Sequence, residues 1–300
     1  MSAVASVSRF RVRDPRFEDV LGSAPRLELV AEVDAHEGPV YVAEEDALYF
    51  TTVRTTTVAI KRLELDSGDV SVVVADANQA NGMALDRNGH LVVCEQGSWK
   101  EPARLSRLER ATGERETIVD AVDGLPLNSP NDVVVRRDGS IWFTDPSYGY
   151  LQGFRPEPAV PDRLYRVEPY TGDVSVAAIG FDKPNGLSFS LDEQILYVAD
   201  NGAPHHLLAF DVEEDGNLRG RRRVAVGSPE HPDGLKVDTQ DRIYASARNG
   251  IHVLAPTGEL LGEIELPGAV NFSFGGRGGN TLFITTDTAV WAAVVNAKGA

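Results

Sequence analysis

The chain repeats one short unit six times, and this repeat restricts the possible folds more than any other feature. Each copy starts with a polar residue and an apolar run, passes a turn signal containing Gly or Asp, and reaches a second apolar run 10 or 11 residues after its start. The copies start at Glu37, Asn81, Asn131, Asn185, Asp233 and Asn271. Two short apolar runs joined by such a turn predict a β-hairpin. A third and a fourth run follow, so each copy predicts one four-stranded β-propeller blade.

Six copies predict an all-β fold, a six-bladed β-propeller with a central channel. The sixth copy leaves too few residues for four strands before the end of the chain, whereas a β-like run precedes the first copy at residues 27–33. We expect this early run to join the last blade and close the ring, because closure removes an exposed strand edge. The expected organisation is one domain over residues 1–300, with residues 1–25 as an N-terminal extension.

Composition excludes several classes of partner. The 45 acidic and 29 basic residues give a formal charge of −16, which disfavours binding to nucleic acid or to anionic membranes. The single cysteine, Cys94, lies in an apolar run and is expected to be buried in a strand. No apolar run is long enough for a membrane span, and the N-terminus does not resemble a secretory signal. We therefore expect a cytoplasmic protein.

The six leading residues predict a metal site. In a propeller the innermost strand of each blade borders the channel, so equivalent positions form a ring around its axis. Asn and Asp before Gly also favour turns, which would explain any one of these residues alone. A ring of two carboxylates and four amides, without His or Cys, offers the hard oxygen ligands that suit Ca²⁺, Mg²⁺ or Mn²⁺ better than Zn²⁺ or Cu²⁺.

The segments that carry these residues resemble the SMP-30/gluconolactonase/luciferin-regenerating family, and bacterial gluconolactonases in particular. The matching segments are EGPVY at 37–41, LNSPNDVVVRRDGSIWFTDPSYG at 127–149, KPNGLSFS at 183–190, HPDGLKVD at 231–238 and NFSFGG at 271–276. The resemblance implies a six-bladed propeller with one divalent metal ion in the channel. It implies Glu37, Asn185 and Asp233 as metal ligands and Asn131 as a nearby ligand or substrate contact. Asp233 also matches the family's proposed general base.

The function predicted on these grounds is metal-dependent hydrolysis of a small lactone. The metal would polarise the carbonyl, and Asp233 would take a proton from the attacking water. Asn81 and Asn131 are candidates for contacts to substrate hydroxyls, and Tyr148 and Asp200 are further candidates for substrate binding. Ca²⁺ is the expected ion, with Mn²⁺, Mg²⁺ and Zn²⁺ as alternatives.

Two other functions stay open at the level of sequence. A related propeller with an oxygen-ligated metal could hydrolyse phosphotriesters, and a propeller without activity could serve as a platform for protein binding. The oligomeric state is not predictable from this sequence. His205, His206 and Trp99 receive no assigned role, although Trp99 is placed in a loop that could cap the channel mouth.

Overall fold

The computed structural model describes residues 9–203, 205–226 and 230–300, and in this part of the chain antiparallel sheets dominate. The first eight residues of the predicted N-terminal extension lie outside the described residues. Before the first repeat come β1 (Phe10–Val12), α1 (Phe17–Leu21) and β2 (Arg26–Glu32).

Each sequence repeat forms one sheet of the propeller. Blade 1 contains β3 (Glu37–Val42), β4 (Ala47–Thr51), β5 (Ile60–Glu64) and β6 (Val70–Val74). Blade 2 contains β7 (Ala80–Leu85), β8 (Leu91–Glu95), β9 (Arg104–Leu108) and β10 (Arg115–Val119), and a small hairpin of β11 (Ala121–Val122) and β12 (Leu125–Pro126) follows it. Blade 3 contains β13 (Val133–Val135), β14 (Ile141–Asp145), β15 (Arg163–Val167) and β16 (Val174–Ile179), with α2 (Tyr148–Leu151) between β14 and β15.

The second half of the ring has the same plan. Blade 4 contains β17 (Pro184–Phe189), β18 (Ile195–Asp200), β19 (His206–Val212) and β20 (Leu218–Val226). Blade 5 contains β21 (Leu235–Val237), β22 (Ile243–Ala247), β23 (Gly250–Leu254) and β24 (Leu260–Glu265). Blade 6 contains β25 (Asn271–Gly275), β26 (Thr281–Thr286) and β27 (Ala289–Val294). Neither helix, nor any other in the described residues, is long and apolar enough to span a membrane.

The N-terminal segment closes the ring, which confirms the predicted six-bladed architecture. β2 pairs antiparallel with β27, with Arg26 opposite Val294 and Glu32 opposite Ala289, and so supplies the fourth strand of blade 6. β1 adds a fifth strand to blade 5, with Phe10 opposite Ile264, a pairing that the repeat pattern does not predict. Both pairings cover a strand that would otherwise be a free edge.

The apolar core lies between neighbouring blades. Trp142 of blade 3 meets Phe189 of blade 4 edge to face, with ring centroids 5.7 Å apart, and similar apolar clusters join the other blades. Because a neighbouring blade covers each face, the second strand of most blades is buried along its whole length, as in β8 and β14. This explains why these strands read as continuous apolar runs, and why Cys94 in β8 is fully buried.

The innermost strands meet around the axis because glycine follows most of the leading residues. Each innermost strand contacts the next, and β25 contacts β3, so the ring of six is complete. The Gly82 N–H donates to the Asn131 carbonyl at 2.8 Å, and the Gly186 N–H donates to the Asp233 carbonyl at 3.0 Å. A Cβ atom at Gly82 would lie 2.7 Å from the Asp132 Cα atom. Glycine at these positions therefore lets adjacent blades approach closely enough to bring the leading residues together.

Candidate active site

A polar cavity opens at the end of the channel where the innermost strands begin. Its volume is about 220 Å³. Five of the six leading residues line it, namely Glu37, Asn81, Asn131, Asn185 and Asp233. The sixth, Asn271, lies behind the wall of the cavity and donates from Nδ2 to Glu37 Oε2 at 2.8 Å. The structure thus brings the four residues predicted as metal ligands into one cavity.

Three oxygen atoms in the cavity wall are suited to bind a cation. The Oδ1 atoms of Asn81, Asn131 and Asp233 are buried, and none has a hydrogen-bond partner among the described residues. Buried polar atoms are nearly always partnered, so unpartnered ones require an explanation. Within the same residues, no group of three or more His, Cys, Asp or Glu side chains is placed to hold a metal. A metal here would therefore need amide oxygens beside the carboxylates, a donor set that fits a hard divalent ion.

The negative charge of the buried carboxylates would also favour a bound cation. Burial raises the pKa of Asp233 well above its usual range, and the nearby negative charges of Glu37 and Asp132 raise it further. Burial also raises the pKa of Asp132, to about 6, against the opposing effect of Lys236. The negative charges of these carboxylates repel one another across a desolvated site, and a divalent cation would offset that repulsion. Asp132 was not among the predicted site residues.

Tyr148, a predicted candidate for substrate binding, lies in the cavity wall. It begins α2, and its hydroxyl accepts a hydrogen bond from Asn185 Nδ2 at 3.4 Å. Ser129 fixes this short helix, because its hydroxyl accepts the Gly149 N–H at 2.9 Å and donates to the Pro146 carbonyl at 2.6 Å. Burial and the Asp233 charge raise the pKa of Tyr148.

Asp145 anchors the segment that leads into Asn131. Its two carboxylate oxygens accept the backbone N–H groups of Asn128 and Ser129, each at 2.8 Å. The Arg155 guanidinium donates to the Asn128 carbonyl at 3.1 Å from the other side. Burial raises the pKa of Asp145 to about 7 despite these hydrogen bonds. Asp145 therefore holds the backbone that leads into the cavity wall, but its own side chain does not line the cavity.

Asp200, the other candidate for substrate binding, is not among the residues that line the cavity. Its Oδ1 atom accepts the Asp182 N–H at 3.0 Å, and its Oδ2 atom lies 3.3 Å from His206 Nε2. The next residue, Asn201, lines the cavity instead. His205 packs behind Asn201, with its ring centroid 4.0 Å from that of His231.

Several lining residues were missed by sequence reasoning, and three of them share a recognisable position. Thr52, Gln96 and Asn201 each come directly after the second strand of a blade. Because adjacent strands are antiparallel, the end of the second strand lies beside the start of the first. In these three blades the polar residue after the second apolar run was therefore a usable signal. His36, Arg54 and Gln152 also line the cavity, but they come from loops without such a pattern.

Comparison with known proteins agrees with this architecture. A family model described as the SMP-30/gluconolactonase/LRE-like region matches residues 35–288. The chain belongs to this family. It is 28% identical to the gluconolactonase of Zymomonas mobilis, over 95% of this chain and 84% of the relative. It is 27% identical to a pentonolactonase of Haloferax volcanii, over 83% of this chain and 80% of the relative.

A solved structure from the same family superposes closely. The gluconolactonase of Xanthomonas campestris is 32% identical in sequence and has a TM-score of 0.85, over 97% of this chain and 96% of that chain. The resemblance to this family that the sequence motifs indicated is thereby confirmed.

Proposed function

We propose that this protein is a lactonase that opens the ester ring of a small sugar lactone with the help of a divalent metal ion. The observation that carries the proposal is the polar cavity lined by the predicted ligands, in which three buried oxygen atoms have no hydrogen-bond partner among the described residues. The gluconolactonase and pentonolactonase relatives support lactone hydrolysis. The role of each residue is proposed from the family resemblance, and the chemistry of the cavity supports a divalent metal.

Glu37, Asn185 and Asp233 would hold the ion, with Asn131 as a fourth ligand or as a contact to the substrate. Two carboxylates balance the charge of one divalent cation, which limits the free energy of placing it in a partly buried site. We propose Ca²⁺ because oxygen-only donors suit it, with Mn²⁺, Mg²⁺ and Zn²⁺ as alternatives to be tested. Bound there, the ion would supply Lewis-acid polarisation of the lactone carbonyl and stabilise the negative charge that develops on its oxygen.

The protein's own groups would handle the protons and the substrate hydroxyls. Asp233 would accept a proton from the water molecule whose oxygen bonds to the carbonyl carbon. The bond between that carbon and the ring oxygen then breaks, and Asp233 can return the proton to the departing ring oxygen, so lactone and water become one hydroxy acid. The amides of Asn81 and Asn131 and the hydroxyl of Tyr148 can each donate and accept hydrogen bonds, which suits them to bind substrate hydroxyls.

Metal analysis of the purified protein, followed by a lactone screen with a pH indicator, tests this function. The screen contains aldonolactones and organophosphate triesters, with Ca²⁺, Mn²⁺, Mg²⁺ or Zn²⁺ added to chelator-treated protein, and spontaneous hydrolysis is subtracted. We expect acid release from an aldonolactone that chelation abolishes and one added ion restores. Cleavage of triesters alone would contradict the substrate class, and lactone turnover that resists chelation would contradict the role of the metal.

A further inference from the structure

A second cavity adjoins the proposed lactone site. Its volume is about 370 Å³, and Arg54 lines both cavities. Gln79 lines the second cavity, whereas the next residue, Ala80, lines the first. Since consecutive Cα atoms are about 3.8 Å apart, the two cavities are neighbours along the same segment of chain. The function proposed above does not use the second cavity.

In the described part of the chain, one buried acceptor of this second cavity lacks a hydrogen-bond partner. Gln79 is only 8% exposed, and its Nε2 atom donates to the Thr56 carbonyl at 3.3 Å. Its Oε1 atom is buried and has no hydrogen-bond partner in the described part of the chain. Unsatisfied buried acceptors are costly, so a hydroxyl from a ligand is a natural partner for this oxygen.

The backbone that presents Gln79 is held in a strained conformation. Asn78 and Gln79 have φ angles of 50° and 58°, in the left-handed region. This region is unfavourable for residues other than glycine and is enriched at functional sites. Asn78 is fixed there by hydrogen bonds from its Nδ2 atom to Glu95 Oε2 at 3.2 Å and to the Pro102 carbonyl at 3.0 Å. These hydrogen bonds hold the backbone that places Gln79 in the wall of the cavity.

Trp99 gives the second cavity an aromatic wall that is largely open to solvent. Its side chain is 69% exposed, yet its indole N–H donates to the Gly153 carbonyl at 3.1 Å, which ties the loop between β8 and β9 to the loop after α2. Arg54 stands between the two cavities, where Nη2 donates to Gln152 Oε1 at 2.8 Å and the guanidinium lies 4.4 Å from the ring centroid of Phe154.

We propose that the second cavity binds a further sugar unit of the substrate, so that the protein acts on lactones of disaccharide or longer aldonic acids. The C–H face of a sugar ring packs against an aromatic ring, while amide and guanidinium groups bind its hydroxyls. Trp99 supplies that ring, and Gln79 and Arg54 supply those polar groups. The proposal rests on the lactonase function, because the lactone ring itself occupies the first cavity.

Kinetics on two matched lactones test the proposal. Glucono-lactone fills only the first cavity, whereas the lactone of lactobionic acid carries a second sugar ring. We expect Trp99→Ala to raise KM for the disaccharide lactone about tenfold, the scale of one lost aromatic contact, and to leave KM for glucono-lactone unchanged. Tyr170→Ala is the matched control, because Tyr170 is an exposed aromatic residue, 94% accessible, that lines neither cavity. An equal change for both lactones, or no change for either, would overturn the subsite.

A binding measurement separates this subsite from the proposed reaction. Lactobionate, the open-chain acid, should alter the tryptophan fluorescence of the wild-type protein but not that of Trp99→Phe. The remaining tryptophans, Trp142 and Trp291, lie outside both cavities. If neither lactone is hydrolysed but this difference is present, the lactonase proposal fails and the sugar site stands. If the fluorescence of both proteins responds alike, or of neither, the sugar site is wrong whatever the activity.

Discussion

At the scale of single residues, Asp233 has two proposed roles, metal ligand and general base, that one isosteric substitution can separate. Asp233→Asn keeps an oxygen that can coordinate a cation, but an amide cannot accept a proton from water at neutral pH. We expect kcat at saturating metal to fall by about 10²- to 10⁴-fold, the usual contribution of a positioned acid–base group. The rate of acid release from an aldonolactone measures this.

The matched comparison for Asp233 is Asn131→Ala. If Asn131 binds a substrate hydroxyl, this variant should raise KM more than it lowers kcat. Near-wild-type turnover by metal-loaded Asp233→Asn would assign the role of base to another group, of which Glu37 is the other carboxylate that lines the cavity.

Glu37 is expected to act mainly through its charge. Glu37→Gln preserves shape but removes one of the two carboxylates proposed to balance the ion, so metal affinity should fall by at least tenfold. Isothermal titration of Ca²⁺ into chelator-treated protein measures the change. Glu116→Gln, at an exposed position of β10, should bind as the wild type does. Equal affinity in both variants would exclude Glu37 from the metal site.

Asp145 is expected to act through stability, since it lies behind the cavity. Asp145→Asn replaces one of two acceptor oxygens with an NH₂ group and leaves a buried backbone N–H of Asn128 or Ser129 without a partner. Such a loss costs about 1–3 kcal/mol of the free energy of unfolding. Urea denaturation followed by circular dichroism measures it. An unchanged midpoint would show that the segment is held by other contacts.

At the scale of elements, the spacing between inner strands decides whether the leading residues can share one ion. The Gly186 N–H binds the Asp233 carbonyl directly, and a Cβ atom at Gly186 would lie 2.7 Å from the Leu235 N atom. The contact involves backbone, so it cannot be relieved by a rotamer change. The blades themselves would have to separate.

Gly186→Ala should therefore weaken metal binding although it changes no ligand. We expect a lower affinity for Ca²⁺ together with a lower melting temperature, because Asn185 and Asp233 would move apart. Calorimetric titration and thermal denaturation of the same preparation report the two effects. Ser175→Ala, on the outer strand β16, should change neither quantity. Wild-type affinity in Gly186→Ala would mean that the two blades adapt without disturbing the site.

At the scale of the whole molecule, a bound ion should stabilise the entire ring, because its proposed ligands come from different blades. An ion that binds only the folded state adds about 2.7 kcal/mol at a concentration 100 times its Kd. The melting temperature should therefore rise with Ca²⁺ concentration and fall with EDTA. A melting temperature that changes with neither Ca²⁺ nor EDTA would contradict a bound ion.

A single cooperative transition in the same scans would support the one-domain organisation, which stays a prediction. The cytoplasmic location also stays a prediction.

The sixfold repeat in the sequence was sufficient by itself to predict much of the fold. Two apolar runs around a Gly or Asp turn favour a hairpin, so six copies of this pattern predicted six blades. The short sixth copy likewise predicted closure by the N-terminal strand β2. The leading polar residues were identifiable because equivalent positions in a closed ring must face the same axis.

Only the tertiary structure decided which side chains reach the cavity. Along a strand successive side chains point to opposite faces, so a shift of one residue separates Asp200, which binds the Asp182 N–H, from Asn201, which lines the cavity. Arg54 and Gln152 come from loops of different blades and meet only in the folded protein. The packing of Phe17 in α1 against Gly262 in β24 could not be predicted either, because these residues are far apart in the sequence. Local patterns determine strands and turns, whereas contacts between distant segments depend on how the blades pack.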